Sequence, residues 1–138
     1  MAKCIIKAHD GFAEMLSKLE GSSDDIAKKA IYEGAGILAD EIMKNLRSVL
    51  SGESTGDLEK SFGISPIKRD TEGWNTKLGF DGYDRKGTPN QLKARILESG
   101  KKNQVKRPFI RPAVNTKRNE IMQKMDEVVE NEIKKLNR

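Results

Sequence analysis

The sequence predicts an α+β fold, in which a small, mainly antiparallel sheet packs against two long helices, one central and one C-terminal, with a short helix near the N-terminus. Apolar residues recur at three- and four-residue steps in two long segments, which is the pattern of amphipathic helices. Between these segments they alternate with polar or small residues, as in strands. The chain has 138 residues, a length that predicts one domain over residues 1–138.

The N-terminal segment predicts a strand followed by the short helix. Cys4–Lys7 is a short apolar run of the kind found in strands. Residues 12–19 carry four apolar side chains on one helical face, and Gly21 follows as a helix stop.

The first long helix is predicted between residues 26 and 49. Residues 22–25 supply side-chain oxygens that can accept hydrogen bonds from its first amides. The apolar stripe continues as far as Val49. Gly34 and Gly36 lie inside it and lower the helix propensity by roughly 1 kcal/mol each relative to alanine. We expect them to permit close packing or to mark a kink.

The middle of the chain predicts an antiparallel hairpin. Phe62 and Ile64 alternate with small residues, and Trp74, Thr76, Leu78 and Phe80 alternate with Asn75, Lys77 and Gly79. Pro66 lacks an amide hydrogen, so it belongs at the end or edge of the first strand. The polar residues 68–73 are predicted to form the turn of this hairpin.

The C-terminal third predicts two helices separated by a basic segment. Residues 91–97 suit a short helix, and residues 101–119 contain seven lysines or arginines and no acidic residue. Pro112 suits the first turn of the last helix. The apolar stripe of that helix runs from Val114 to Leu136.

Composition and charge limit the possible functions. The formal net charge is +5, which permits weak attraction to nucleic acid or to an acidic surface. The single cysteine excludes an intrachain disulfide. Neither a signal peptide nor a membrane-spanning run is recognisable, so the expected location is the cytosol.

The side chains that could support chemistry are few and poorly arranged for it. Cys4 and His9 are the only possible nucleophile–base pair involving a histidine, and we interpret them as a packed thiol and a solvated turn residue. Asp81 and Asp84 lack the spacing of a calcium loop, and Asp24 and Asp25 are interpreted as ordinary loop acids. No glycine-rich phosphate loop is present. The sequence therefore predicts no catalytic, metal-binding or cofactor-binding residues.

The basic segment allows two interpretations. Phe109 is its only aromatic residue and stands between two prolines, which favours a buried anchor with Arg107 and Arg111 pointing outward. These arginines could pair with acids such as Glu33 or Asp40 on a neighbouring copy. The alternative is a nucleic-acid-binding module, whose contacts would come from Lys101, Lys102, Lys106, Arg107 and Arg111.

Three short motifs occur in the same order as in a known family. They are a Thr-Gly-x-Leu-x-x-Ser segment, a Glu-x-Gly element and an Arg-Pro-Phe-x-Arg-Pro-Ala segment. In this order they resemble the tail-completion or head–tail joining proteins of long-tailed double-stranded DNA phages, a family named for the tenth gene product of a lambdoid phage. The motif residues are Thr55, Gly56, Leu58, Ser61, Glu98, Gly100, Arg107, Pro108, Phe109, Arg111 and Pro112.

The resemblance implies an architectural function without catalysis. Thr55 and Gly56 would turn the chain out of the long helix into a strand that starts near Leu58. Members of the family are expected to form a ring, by analogy a hexamer, at the head-proximal end of the tail. The expected partners are other copies of the chain, tail-tube proteins and head-connector proteins, with no cofactor. Residues 51–56, residues 82–90, a strand edge and an exposed stripe of the first long helix are the candidate contacts.

Overall fold

The structure is a computed structural model that describes residues 4–7, 23–50, 56–71 and 73–136. The short helix predicted for residues 12–19 lies outside the described residues, as do Thr55 and most of the loop at residues 51–56.

The first long helix, α1, spans Ser23–Val49 and lies in the middle of the fold. It packs against strands on one side and against the C-terminal helix on the other. Its apolar stripe is therefore buried on both sides, and Ile31, Ile42 and Leu46 are at most 1% exposed. The prediction that this stripe is exposed and supplies a subunit interface is wrong, because the stripe forms the core of the chain itself.

The second long helix, α4, spans Ile110–Leu136 and runs antiparallel to α1. Lys29 near the start of α1 forms a 2.6 Å ion pair with Glu132 near the end of α4. Gly34 allows the two helices to approach closely, since a Cβ atom there would lie 3.1 Å from side-chain atoms of Ile121 and Met125. Gly36 has no neighbour of this kind within 4 Å, so the close-packing explanation holds for Gly34 alone.

The sheet formed by the described residues has four strands, one of which is central. The strands are β1 (Cys4–Lys7), β2 (Phe62–Ile64), β3 (Lys68–Asp70) and β4 (Gly73–Phe80). β4 pairs antiparallel with all three others. β1 lies along one side of β4, whereas β2 and β3 follow each other along the opposite side.

The segment predicted as a polar turn is partly a strand. Lys68, Arg69 and Asp70 form β3 and pair with β4, so these three residues are not part of a turn. A bulge separates β2 from β3, because Ser65 binds opposite Lys77 while Lys68 pairs with Asn75. The bulge contains Pro66, whose missing amide hydrogen would break a continuous ladder.

Two short helices complete the described fold. Asp57–Lys60 forms a single helical turn, α2, and Asn90–Ser99 forms α3. The predicted strand near Leu58 is therefore wrong: Leu58 is a buried residue of α2, and the strand starts at Phe62.

The α+β prediction is confirmed. The inner face of β4 contributes Leu78 and Phe80 to the core, which α1, α3 and α4 complete. Phe109 lies just before α4 and packs against Phe80 of β4, so it connects the core between the helices with the sheet.

Candidate functional site

Phe109 is the apolar anchor of the basic segment, as predicted. Its side chain is fully buried, and its ring meets the ring of Phe80 edge-on, with centroids 5.9 Å apart. The Asn45 side-chain amide donates a 3.2 Å hydrogen bond to the Phe109 carbonyl. Phe109 thereby connects α1, β4 and the start of α4.

Glu98 caps the N-terminal end of α4 from the end of α3. Its Oε2 atom accepts 2.8 Å hydrogen bonds from the backbone amides of Phe109 and Ile110, and its Oε1 atom accepts a 2.9 Å bond from Arg111. The first amides of a helix have no acceptor within the helix, and Pro112 has no amide hydrogen to donate. One carboxylate therefore satisfies every amide hydrogen from residue 109 to residue 112, and its negative charge suits the helix dipole.

Gly100 lets the chain turn sharply between α3 and α4. Its φ and ψ angles are 76° and 178°, a region that almost only glycine adopts. A Cβ atom there would lie 3.0 Å from the backbone oxygen of Gln104 and the backbone nitrogen of Lys106. The loop is closed by a 2.6 Å hydrogen bond from the Arg107 amide to the Leu97 carbonyl. We call residues 98–113 the clasp, and residues 101–107 within it the basic loop.

The cations of the clasp face outward. Residues 101–108 are all exposed, and Val105 is 82% exposed. Arg107 donates a 3.3 Å hydrogen bond from Nη1 to the Val49 carbonyl at the end of α1, and Arg111 borders an open groove with Lys106 and Pro108. Within the described residues, no carboxylate forms an ion pair with a cation of the basic loop.

The Thr-Gly-x-Leu-x-x-Ser segment forms a second compact element. Gly56 has a φ of 82° and begins α2, Leu58 is buried, and the Ser61 hydroxyl donates a 2.7 Å hydrogen bond to the Leu58 carbonyl. Thr55 lies outside the described residues.

Asp84 organises the loop at residues 81–90. Its Oδ1 atom accepts 2.9 Å hydrogen bonds from the amides of Lys86 and Thr88, and its Oδ2 atom accepts a 3.0 Å bond from Lys93. These bonds, of which the Thr88 amide contributes most, lower the pKa of Asp84 below its ordinary value.

The same loop is tied to the Thr-Gly segment by an arginine. Arg85 donates from Nε and Nη2 to the two carboxylate oxygens of Asp57, over 3.0 Å and 2.9 Å. Such bidentate pairs fix orientation as well as distance. Residues 81–90 are thus held to α2 by Arg85 and to α3 by Lys93.

The structure brings together two of the three predicted motifs. Glu98 and Gly100 contact the Arg107–Pro112 segment directly, whereas Gly56, Leu58 and Ser61 form a separate element. Sequence reasoning missed that Glu98 caps the last helix. A signal was present: residues 107–109 offer no Ser, Thr, Asp or Asn for a local cap. It also missed Asp57, Arg85 and Lys93, whose long-range pairing has no sequence signature.

The described residues contain no group of three or more His, Cys, Asp or Glu side chains that could hold a metal ion. The interpretation of His9 as a solvated turn residue falls on a residue outside the described ones.

One comparison with known proteins identifies the family. The model of the family described as "Bacteriophage HK97-gp10, putative tail-component" matches residues 10–100, which is well over half of the chain. The chain belongs to this family. It is a structural component of a phage tail, as the motif resemblance implied. No curated protein and no solved structure matches it significantly.

The match includes two of the motifs of this tail component. Residues 55–61 and residues 98–100 lie within the matched region, and the Arg107–Pro112 segment lies beyond it. None of the helices described for this tail component is long and apolar enough to cross a membrane.

Proposed function

We propose that this tail component is a non-enzymatic assembly subunit that forms a ring, by family analogy a hexamer, at the head-proximal end of the tail. Its partners there are further copies of the chain, the tail-tube protein and the head connector. The chain acts as one domain over residues 1–138. Its place of assembly is the host cytoplasm, before it becomes part of the virion.

The clasp is the observation that carries this proposal. Phe109, Glu98 and Gly100 have their interactions inside the chain, so they hold a loop in position rather than carry out chemistry. The exposed cations are thereby presented by a preorganised frame, which lowers the entropy lost on binding a protein partner. Arg107 and Arg111 are the side chains best placed to contact such a partner.

The test compares two arginines that are both exposed. Purified wild-type protein is expected to form a discrete oligomer by native mass spectrometry and to co-purify with tail-tube or connector protein. Arg111→Ala is expected to weaken one of these associations at least tenfold, whereas Arg95→Ala, at another exposed position, leaves both unchanged. A chain that stays monomeric at high concentration and binds neither partner would refute the proposal.

The basic loop favours nucleic-acid binding as a second candidate function. Its four cations are exposed and lack a described ion-pair partner, and Arg111 extends the patch. Against it, Phe109 is buried and therefore unavailable for stacking on a base. Binding of duplex DNA through phosphates should weaken steeply between about 50 and 200 mM salt. A mobility-shift assay without such a salt-dependent shift excludes this candidate.

A further inference from the structure

β2 leaves a row of backbone hydrogen-bonding groups directed away from the sheet. The Ser65 amide donates to the Lys77 carbonyl, and the Asp81 amide donates to the Ser61 carbonyl, so residues 61 and 65 face β4. Along an antiparallel strand, the backbone amide and carbonyl of successive residues point alternately toward one neighbouring strand and toward the other side. The amides and carbonyls of Phe62 and Ile64 therefore point outward, where a further strand could pair with them.

β2 is only three residues long, but it lacks the charges, bulge and proline that protect the other half of this edge. β3, which continues the same edge, carries three exposed charged residues and follows a bulge that contains Pro66. Charges, bulges and prolines are the usual protection of an edge strand. β2 has no charged residue, and Ile64 is 41% exposed.

Gly63 at the centre of β2 has no explanation within the described residues. Its φ is not positive, and a Cβ atom there would have no neighbour within 4 Å. Glycine weakens a strand interior and often marks a close approach of another backbone. An approach from outside the chain accounts for glycine at this position.

β1 offers a matching strand on the opposite side of the sheet. Cys4–Lys7 pairs with β4, and the structure describes no second partner strand for it. Its first three residues are uncharged, like those of β2. A ring built by rotation needs contacts between two different surfaces that face opposite ways, and the two edges of one sheet meet this requirement.

We propose that, in the ring of the proposed function, β1 of each copy pairs with β2 of its neighbour, so that the sheets join into one continuous sheet around the ring. Both strands run antiparallel to β4 and hence parallel to each other. Rotation about the ring axis preserves the direction of strands that run along that axis, so strands in this orientation meet as a parallel pair. Lys7 has the same charge as Lys68 and Arg69 of β3, and like charges on paired strands disfavour the same junction farther along the edge.

The single native cysteine allows a direct test. Cys4 and Ile64 both pair with Leu78, from opposite sides, so their Cα atoms lie about two strand spacings, or roughly 10 Å, apart. This exceeds the limit of about 7 Å for a disulfide. In Ile64→Cys, any bond between the introduced thiol and Cys4 must therefore join two copies. Phe62→Cys tests a junction shifted by two residues.

Mild oxidation of the assembled full-length variants is expected to give a ladder of covalent oligomers on a non-reducing gel for at least one of the two positions. Adding Cys4→Ser must remove the ladder, and the wild type must not form one. If Cys4→Ser/Ile64→Cys instead gives covalent dimers, β2 pairs with another β2, and the proposal is overturned.

A charge on the edge gives an independent readout. Ile64→Lys is expected to shift the oligomer to a monomer whose circular dichroism spectrum remains that of the folded chain, whereas Val105→Lys, at another exposed apolar position, leaves the oligomer intact. If Ile64→Lys remains oligomeric and neither cysteine variant gives a ladder, the proposed pairing of β1 with β2 is overturned. The proposed ring itself would not be affected by that result. A monomeric wild type that binds no tail protein removes the ring itself.

Discussion

The clasp and the loop at residues 81–90 are each organised by one carboxylate, but they differ in how much buried structure that carboxylate holds in place. Glu98 binds the end of a 27-residue helix whose entry is anchored by the fully buried Phe109. Asp84 binds two amides of its own mostly exposed loop and the side chain of Lys93 on α3.

The difference indicates how each segment is connected to the core. Loss of the clasp would expose apolar surface and leave helix amides without acceptors, so it should destabilise the whole chain. Loss of the Asp84 contacts would free a polar loop that water can solvate equally well. Variants of the clasp should therefore lower the free energy of unfolding of the whole chain, whereas variants of the Asp84 contacts should have smaller effects that are confined to the loop.

Phe109→Ala should have the largest effect. Removal of a fully buried ring leaves a cavity between β4 and the helices, and such changes lower the free energy of unfolding by about 3–5 kcal/mol. Urea denaturation measures this loss. The control, Val105→Ala, should change stability by less than about 0.5 kcal/mol because its side chain is exposed. Similar losses for the two variants would contradict the anchor role.

Glu98→Ala should have the second-largest effect on the free energy of unfolding. Three backbone amides would lose their acceptor, and the loss of a helix cap of this kind is expected to cost about 2 kcal/mol. The same denaturation experiment measures it, with exposed Glu130→Ala on α4 as the control. If both variants lose equally little, the helix end is satisfied by water, and the clasp is not held by Glu98.

Gly100→Ala should cost about 1–2 kcal/mol, because its φ and ψ disfavour a side chain and a Cβ atom would crowd the basic loop. Gly36→Ala is the matched contrast, since this helical glycine has open space around it. It should raise the free energy of unfolding by roughly 0.5–1 kcal/mol. A stabilising Gly100→Ala would show that the turn relaxes without strain.

The Asp84 contacts should have the smallest effect, visible mainly in their pH dependence. Because folding lowers the pKa of Asp84, its contribution is fully present above the unfolded value of about 3.9. It is lost as the pH falls through the lower folded value. NMR titration should show the Lys86 and Thr88 amides shifting together below about pH 3.9, and Asp84→Asn should abolish this shift. A midpoint above that value would contradict the hydrogen-bonding scheme.

The predictable part of the fold was the part with periodic sequence. The stripe of α1, the alternation in β4 and the position of Pro112 led to the correct elements, because burial imposes these periods locally. The fold class followed from them, whereas the burial of Phe109 was predicted from its place between two prolines as the only aromatic residue of the basic segment.

The rest depended on contacts that sequence spacing does not encode. β3 was interpreted as a turn because its three side chains are all polar, as an exposed edge permits. The contact between Glu98 and residues 109–111 depends on the path of the basic loop, which Gly100 makes possible. The surroundings of Gly34 and Gly36 differ because only Gly34 faces α4, which pattern alone did not reveal.

Trp74 gives the molecule an internal optical reporter. It is the only tryptophan of the chain and is half-buried, with Lys28 of α1 at 5.6 Å and Arg69 of β3 at 5.9 Å from its ring. Its emission should follow the separation of α1 from the sheet. Asn45, which binds the clasp, lies 17 residues or about 25 Å farther along α1. Fluorescence should thus stay constant when the clasp alone opens, while circular dichroism detects fraying of α4.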